Sequence, residues 1–260
     1  WSHHLKGSRP IRRYQSCASG PSVSKFRISL QSSARGSLLP PGPFFPCLPQ
    51  IPLDQKVLPD LSHDHAVERD SAAQAQVKTE WIEYSHAGTK LKGYLAYDDK
   101  IKGKRPAILM IHDRAGMQPY AQKAAENWAR LGYVTFAADF FGYGQGILPK
   151  DVPEAVVQMG IYTKDRALMK TRAQAGYDML IKNPMVDAGR IAMIGYCFGG
   201  MVGVEFGSTG VPLAANVAIH GSFDGHPEGW AKNAKGKFLI LHGAEDVPYP
   251  LEKVALVYNA

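Results

Sequence analysis

Ile194-Gly195-Tyr196-Cys197-Phe198-Gly199-Gly200, residues 194–200, decide how this chain of 260 residues is read. The apolar run before the cysteine, 190–196, has strand length, and the stretch after it, 198–207, reads as a helix. Gly-x-Cys-x-Gly therefore occupies a strand–turn–helix junction, the setting of a nucleophile elbow with sulfur in place of the usual serine oxygen. In so tight a turn, Cβ atoms two residues either side of the cysteine would collide with backbone, a clash that Gly195 and Gly199 avoid. Such an elbow lifts its side chain to the carboxyl edge of the sheet, where open α/β sheets hold their ligands. It also sets the sulfur at a helix N-terminus, so a thiol pKa below the free value of about 8.5 is expected. The bland alternative is an inert cysteine beside a glycine-rich turn.

The pattern around the elbow fits that setting. Apolar runs at 105–112 and 133–139 predict strands buried on both faces. Between them, 118–131 predicts a helix with Ala121, Ala124, Ala125, Trp128 and Leu131 on one stripe and Gly132 as its stop. Two helices are expected over 152–182, ending before Asn183-Pro184, with strands at 213–220 and 237–242 and a helix beginning at Pro250. Upstream, 78–85 and 90–97 alternate around His86-Ala87-Gly88-Thr89 and predict an antiparallel hairpin. Strands alternating with helices predict an α/β fold built on a mostly parallel, doubly wound sheet.

Charge and composition separate this domain from what precedes it. Residues 1–53 carry seven of the thirty basic residues and no acidic one, so residues 54–260 balance at 23 basic against 23 acidic. The basic pI of 9.2 thus belongs to the N-terminal stretch, and no basic face for nucleic acid is expected. That stretch also holds ten of the fifteen serines and eight of the eighteen prolines, too little apolar surface to offset ordering. We read residues 1–76 as a low-complexity, disordered extension and 77–260 as the folded domain. Its Arg- and Ser-rich, acid-free character is also that of a transit peptide, and Ala73-Gln74-Ala75 resembles a signal-peptidase site without an apolar segment before it. Localisation stays open on these features, with the cytosol suiting a free thiol. Cys17, Cys47 and Cys197 are too few for a disulfide scaffold or a Cys-rich zinc site, and no apolar run reaches membrane-spanning length.

Four stretches taken together, GYCFGG (195–200), IHDRAG (111–116), LGYVTFAADFFG (131–142) and ILHGAEDVPYP (240–250), resemble the dienelactone hydrolase family of the α/β-hydrolase superfamily. The resemblance covers residues 77–260. It implies hydrolysis of a small ester or lactone through a Cys-His-Asp triad, with no metal or organic cofactor and with a small molecule as partner rather than nucleic acid or membrane. It implies Cys197 as nucleophile and Asp246 as the acid that orients the base, although the adjacent Glu245 competes on charge alone. The oxyanion donors it implies are the backbone N–H groups of Phe198 and Arg114. The Arg114 side chain is a further candidate for holding an anionic substrate. Asp113 stands where the family has a glutamate against the resting cysteine, one methylene shorter here.

The family's histidine follows the acid, beyond one more helix and strand, and no histidine follows His242. The last strand and helix, together with that base, are therefore expected to be missing from the 260 residues. A free strand edge and poor stability are expected with them. Among the histidines present, His112 and His242 are expected to be structural. His220 is the one internal substitute, and His226 lies in a Gly/Pro loop. Arg166 and Arg172 are candidates for substrate carboxylate. Two rival readings stand beside the hydrolase: a non-catalytic α/β-hydrolase-like fragment or binding protein, and a thiol redox or acyl-transfer protein, which would lack a second cysteine.

Overall fold

A computed structural model describes residues 75–223 and 229–259, all within the compact unit Gln55–Ala260. The expected extension therefore lies outside the described residues apart from its last two, as do Cys17, Cys47 and His226.

Val77–His86 (β1) and Thr89–Asp98 (β2) form the expected hairpin, with Ala87 and Gly88 at positive φ in its turn. Arg105–Ile111 (β3), Val134–Ala138 (β4), Val186–Tyr196 (β5), Ala215–Ile219 (β6) and Lys237–Leu241 (β7) complete one sheet in the order β1-β2-β4-β3-β5-β6-β7. Strands β4 to β7 run parallel with β3, and β2 joins β4 antiparallel. The helices are α1 (Pro119–Arg130), α2 (Val152–Lys164), α3 (Arg166–Ile181), α4 (Phe198–Gly207) and α5 (Leu251–Asn259). This is the mostly parallel α/β sheet of the α/β-hydrolase fold.

The alternation of β3 divides the core. Ala107, Leu109 and Ile111 face one cluster with Met169, Ala173 and Tyr177 of α3 and Val202 and Phe206 of α4. Ile108 and Met110 face the other, with Ala121, Ala125 and Ala129 of α1. Of the expected stripe, Ala121 and Ala125 are buried and Ala124 and Trp128 pack against the same cluster, while Ala129 takes the place expected for Leu131. Leu131 is 52% exposed because the helix ends at Arg130, and the following N–H turns back to the Trp128 carbonyl.

Asp139, buried just past β4, organises the loop that follows. Its carboxylate accepts from the N–H groups of Lys92, Gly142 and Gly144, and a 3-10 turn at Tyr143–Gln145 results. Sequence pattern gave no sign of this turn, because its cause is a carboxylate reaching back to β2. Arg172 serves the same region. It is 2% exposed and donates to the carbonyls of Phe140 and His86, to Thr89 and to the His86 ring. Nε, Nη1 and Nη2 all donate within the protein, which removes Arg172 from the candidates for substrate carboxylate.

Among the described strands β7 is the sheet edge beyond β6, with Leu239 and Leu241 about half exposed on one face. On its other face Phe238 packs edge-on against Trp230, and Ile240 packs with Val254 and Val257 of α5. No helix among the described residues is long and apolar enough to cross a membrane.

Candidate active site

The elbow is built as tightly as its glycines require. An added Cβ would lie 1.9 Å from the Gly199 carbonyl oxygen at Gly195 and 2.4 Å from the Ile111 carbonyl oxygen at Gly199. Cys197 itself is held at φ 53°, ψ −110°, a conformation that L residues rarely adopt and that costs of order 1–3 kcal/mol. The ladder fixes it there. Its N–H donates to the Ile219 carbonyl at 2.9 Å, and its own carbonyl accepts from Gly200 and Met201 in the first turn of α4. The sulfur therefore stands at the carboxyl edge of the sheet, above the N-terminus of α4.

The backbone N–H groups of Phe198 and Arg114 are near enough to that sulfur to favour its charged form. They come from two segments, one from the elbow and one from the loop after β3. Their pull does not set the pKa. Burial pushes the Cys197 thiol up, the Asp113 carboxylate pushes it the same way, and the two N–H groups with the Arg114 guanidinium only offset part of this. The lowered pKa expected from the helix terminus is thus corrected: the resting group is a thiol.

Asp113 turns its carboxylate into its own loop, where Oδ1 accepts from the Ala115 N–H at 2.7 Å. Its N–H donates to the Tyr120 hydroxyl at 2.6 Å, and burial raises the pKa of that hydroxyl, which is held beside Cys197. Tyr120 escaped sequence reasoning because it reads as an ordinary polar-aromatic position in the first turn of α1. Replacing Asp113 by Asn removes the charge while keeping an acceptor for Ala115. The midpoint for alkylation of Cys197 by iodoacetamide is expected to move to lower pH, with a several-fold faster rate at pH 8. An unchanged or slower rate would contradict the charge assignment.

His112 is structural by its bonds. Phe140 N–H donates to Nε2 at 3.2 Å, so Nδ1 carries the proton and donates to the Asp113 carbonyl at 2.7 Å. Burial lowers its pKa, and its ring lies against Phe141 and Phe198. His242 donates from Nε2 to the Tyr249 carbonyl at 2.6 Å. Asp246 sits in the turn after β7, 10% exposed at its side chain, with Oδ1 accepting from the Tyr249 N–H. Its Oδ2 lies 2.6 Å from His220 Nε2, a pairing the sequence did not single out. Glu245, the neighbouring acid, is exposed.

Cys197 opens into a cavity of about 730 Å3. Val156, Val157, Met159, Phe198 and Met201 give it an apolar wall, and Ser222 and Tyr249 also line it. Arg166 also borders it, with its guanidinium paired to Glu205, which Lys170 binds as well. The Arg114 side chain is exposed. No group of three or more His, Cys, Asp or Glu among the described residues is arranged to hold a metal ion.

Comparison with known proteins agrees with this architecture. The family model "Dienelactone hydrolase family" matches residues 91–260. The solved structure called m3DLH shares 33% identity with a TM-score of 0.66, over 70% of this chain and 75% of that one. A second, the dienelactone hydrolase-like promiscuous phosphotriesterase P91 from metagenomic libraries, shares 31% identity with the same TM-score and coverage. A carboxymethylenebutenolidase homolog of Mus musculus is 25% identical over 166 residues, 64% of this chain and 65% of that protein. With Gly-x-Cys-x-Gly at the elbow of a mostly parallel α/β sheet and a family match over most of its length, the chain belongs to the dienelactone hydrolase family, hydrolases of ester or lactone type.

Proposed function

We propose that Cys197 is the nucleophile of a hydrolase acting on a small neutral ester or lactone, with Asp246 as the acid that orients the base. What supports this reading is the strained elbow that sets Cys197 on the lining of a largely apolar cavity, with the Phe198 and Arg114 N–H groups near its sulfur. When the sulfur bonds to a carbonyl carbon, the carbonyl oxygen takes its electron pair beside those donors. Each such donor is worth about 3 kcal/mol in the transition state.

The steps balance without an external reagent. An imidazole takes the thiol proton, sulfur adds to the carbonyl carbon, and the tetrahedral oxyanion collapses to expel alkoxide, which leaves with the proton from imidazolium. Water then gives its proton to the imidazole and its oxygen to the thioester carbon. Collapse of the second oxyanion releases the carboxylic acid and returns the thiolate, which regains the proton. Because Cys197 rests as a thiol, the proton transfer is a required part of attack rather than a refinement.

The cavity wall supports an uncharged, apolar acyl group; of the two cations at its border, Lys164 and Arg166, the second is already paired with Glu205. Incubation with p-nitrophenyl butyrate, acid quench and peptide mapping by mass is expected to find the butyryl group on the peptide containing Cys197. An ester of equal length ending in a carboxylate is expected to acylate more slowly. Acyl transfer to another side chain, or a preference for the anionic ester, would contradict the reading.

A further inference from the structure

Asp113 is pinned on both sides of its α-carbon. Before it, the N–H of the His112–Asp113 peptide donates to the Tyr120 hydroxyl at 2.6 Å. After it, the carbonyl of the Asp113–Arg114 peptide accepts from His112 Nδ1 at 2.7 Å and from the Gly116 N–H at 3.3 Å. His112 is fixed in turn, because it is buried and its Nε2 accepts from the Phe140 N–H. A peptide unit is planar and each residue has only two soft dihedrals. Holding the planes on either side of Asp113 therefore holds its φ and ψ together.

The second plane carries a donor of the site. In a trans peptide the carbonyl and the N–H point in opposite directions. The Asp113 carbonyl points to His112 and Gly116, so the Arg114 N–H points away from them, and it lies near the Cys197 sulfur. The direction of this N–H is thus set by what holds Asp113. The Arg114 side chain, which is exposed, plays no part in it.

Tyr120 is a poor choice for packing alone. It is the second residue of α1, after Pro119, and is 39% exposed, whereas Ala121, Ala125 and Ala129 on the same helix are fully buried. Its hydroxyl is nevertheless withdrawn from water, and burial raises its pKa, so it stays a neutral phenol. A phenol oxygen can accept from the Asp113 N–H and still donate its own proton elsewhere. A phenylalanine would fill the same space and leave that N–H without the acceptor it has.

We infer that Tyr120 is a positioning residue: by holding the peptide before Asp113 it keeps the peptide after it turned so that the Arg114 N–H faces the carbonyl oxygen of the ester that Cys197 attacks. It acts through Asp113 and not on the substrate. The inference rests on the reading of Cys197 as nucleophile and of the Arg114 N–H as an oxyanion donor.

Two reactions of the same thiol separate aiming from reactivity. Acylation by p-nitrophenyl acetate passes through a tetrahedral oxyanion and uses the donor. Alkylation by iodoacetamide displaces iodide from a saturated carbon and forms no oxyanion. Both depend alike on the pKa of Cys197 and on the group that takes its proton, so the ratio of the two rates reports the oxyanion donors. In the full 260-residue chain, Tyr120→Phe is expected to lower the ratio of acylation to alkylation at least about 10-fold at a fixed pH. That is part of the roughly 100- to 1,000-fold lost when a donor is removed outright. An unchanged ratio, or equal losses in both reactions, would overturn the role of Tyr120 while leaving Cys197 as nucleophile. Loss of the cooperative thermal transition in Tyr120→Phe would overturn it too, because the hydroxyl would then hold the fold rather than aim one donor. Parent-like release of p-nitrophenol from Cys197→Ala would instead sink the nucleophile on which both claims stand.

Discussion

Gly195→Ala is expected to lower stability by about 4 kcal/mol, among the largest effects of a single methyl group. The methyl carbon would be placed 1.9 Å from the Gly199 carbonyl oxygen, 2.1 Å from its carbonyl carbon and 2.7 Å from the Gly200 nitrogen. All three are backbone atoms of the first turn of α4, so no side chain can swing aside. Moving that turn would in turn break the Gly200 and Met201 bonds to the Cys197 carbonyl and push Gly199 from the Ile111 carbonyl it abuts. The cost therefore falls on the sheet–helix junction rather than on one contact. Equilibrium denaturation in urea measures it directly, and a thermal midpoint about 10 °C lower is the matching expectation. A midpoint within a degree or two of the parent would mean that the elbow is looser than its geometry indicates.

Cys197→Ala is expected to reduce ester hydrolysis at least about 10⁴-fold, because a nucleophile that forms a covalent intermediate has no partial substitute. The substitution removes one sulfur from a half-buried position and leaves the backbone at φ 53°, which alanine tolerates no worse than cysteine. The folded state should therefore survive, and loss of activity can be read as loss of chemistry. Cys197→Ser is the sharper companion. Oxygen preserves the shape, but an alcohol is a far weaker acid than a thiol already shifted upward by burial and Asp113. Serine at the elbow would thus demand more of the base, and activity below about one hundredth of the parent is expected.

How much of this was legible beforehand follows from how local each cause is. The parallel sheet and the hairpin were readable because strand alternation and apolar runs are properties of neighbouring residues, as in Arg105–Ile111 and Thr89–Asp98. The elbow pattern was readable for the same reason, since its two glycines lie within two residues of Cys197. The direction of the Cys197 pKa was not. The helix terminus is a local feature and argues downward, but burial under α2 and α4 and the charge of Asp113 come from elsewhere in the chain and prevail. Arg172 looked available on a helix face and is committed to four partners on β1, β2 and the loop after β4. The pairing of His220 with Asp246 depends on strand order, in which β6 separates β5 from β7, and no spacing in the sequence encodes that. Tyr120 is a residue of the same kind, brought to Asp113 by the fold of the loop after β3.

The measurement that tests the central claim most directly is rapid mixing of the 260-residue chain with p-nitrophenyl acetate, beside its Cys197→Ala variant, following release of p-nitrophenol. The account predicts a fast phase approaching one equivalent of p-nitrophenol per active chain, absent in the variant, as acyl transfer to sulfur outruns its hydrolysis. Equal release from both proteins would contradict it, because the carbonyl would then be attacked without Cys197.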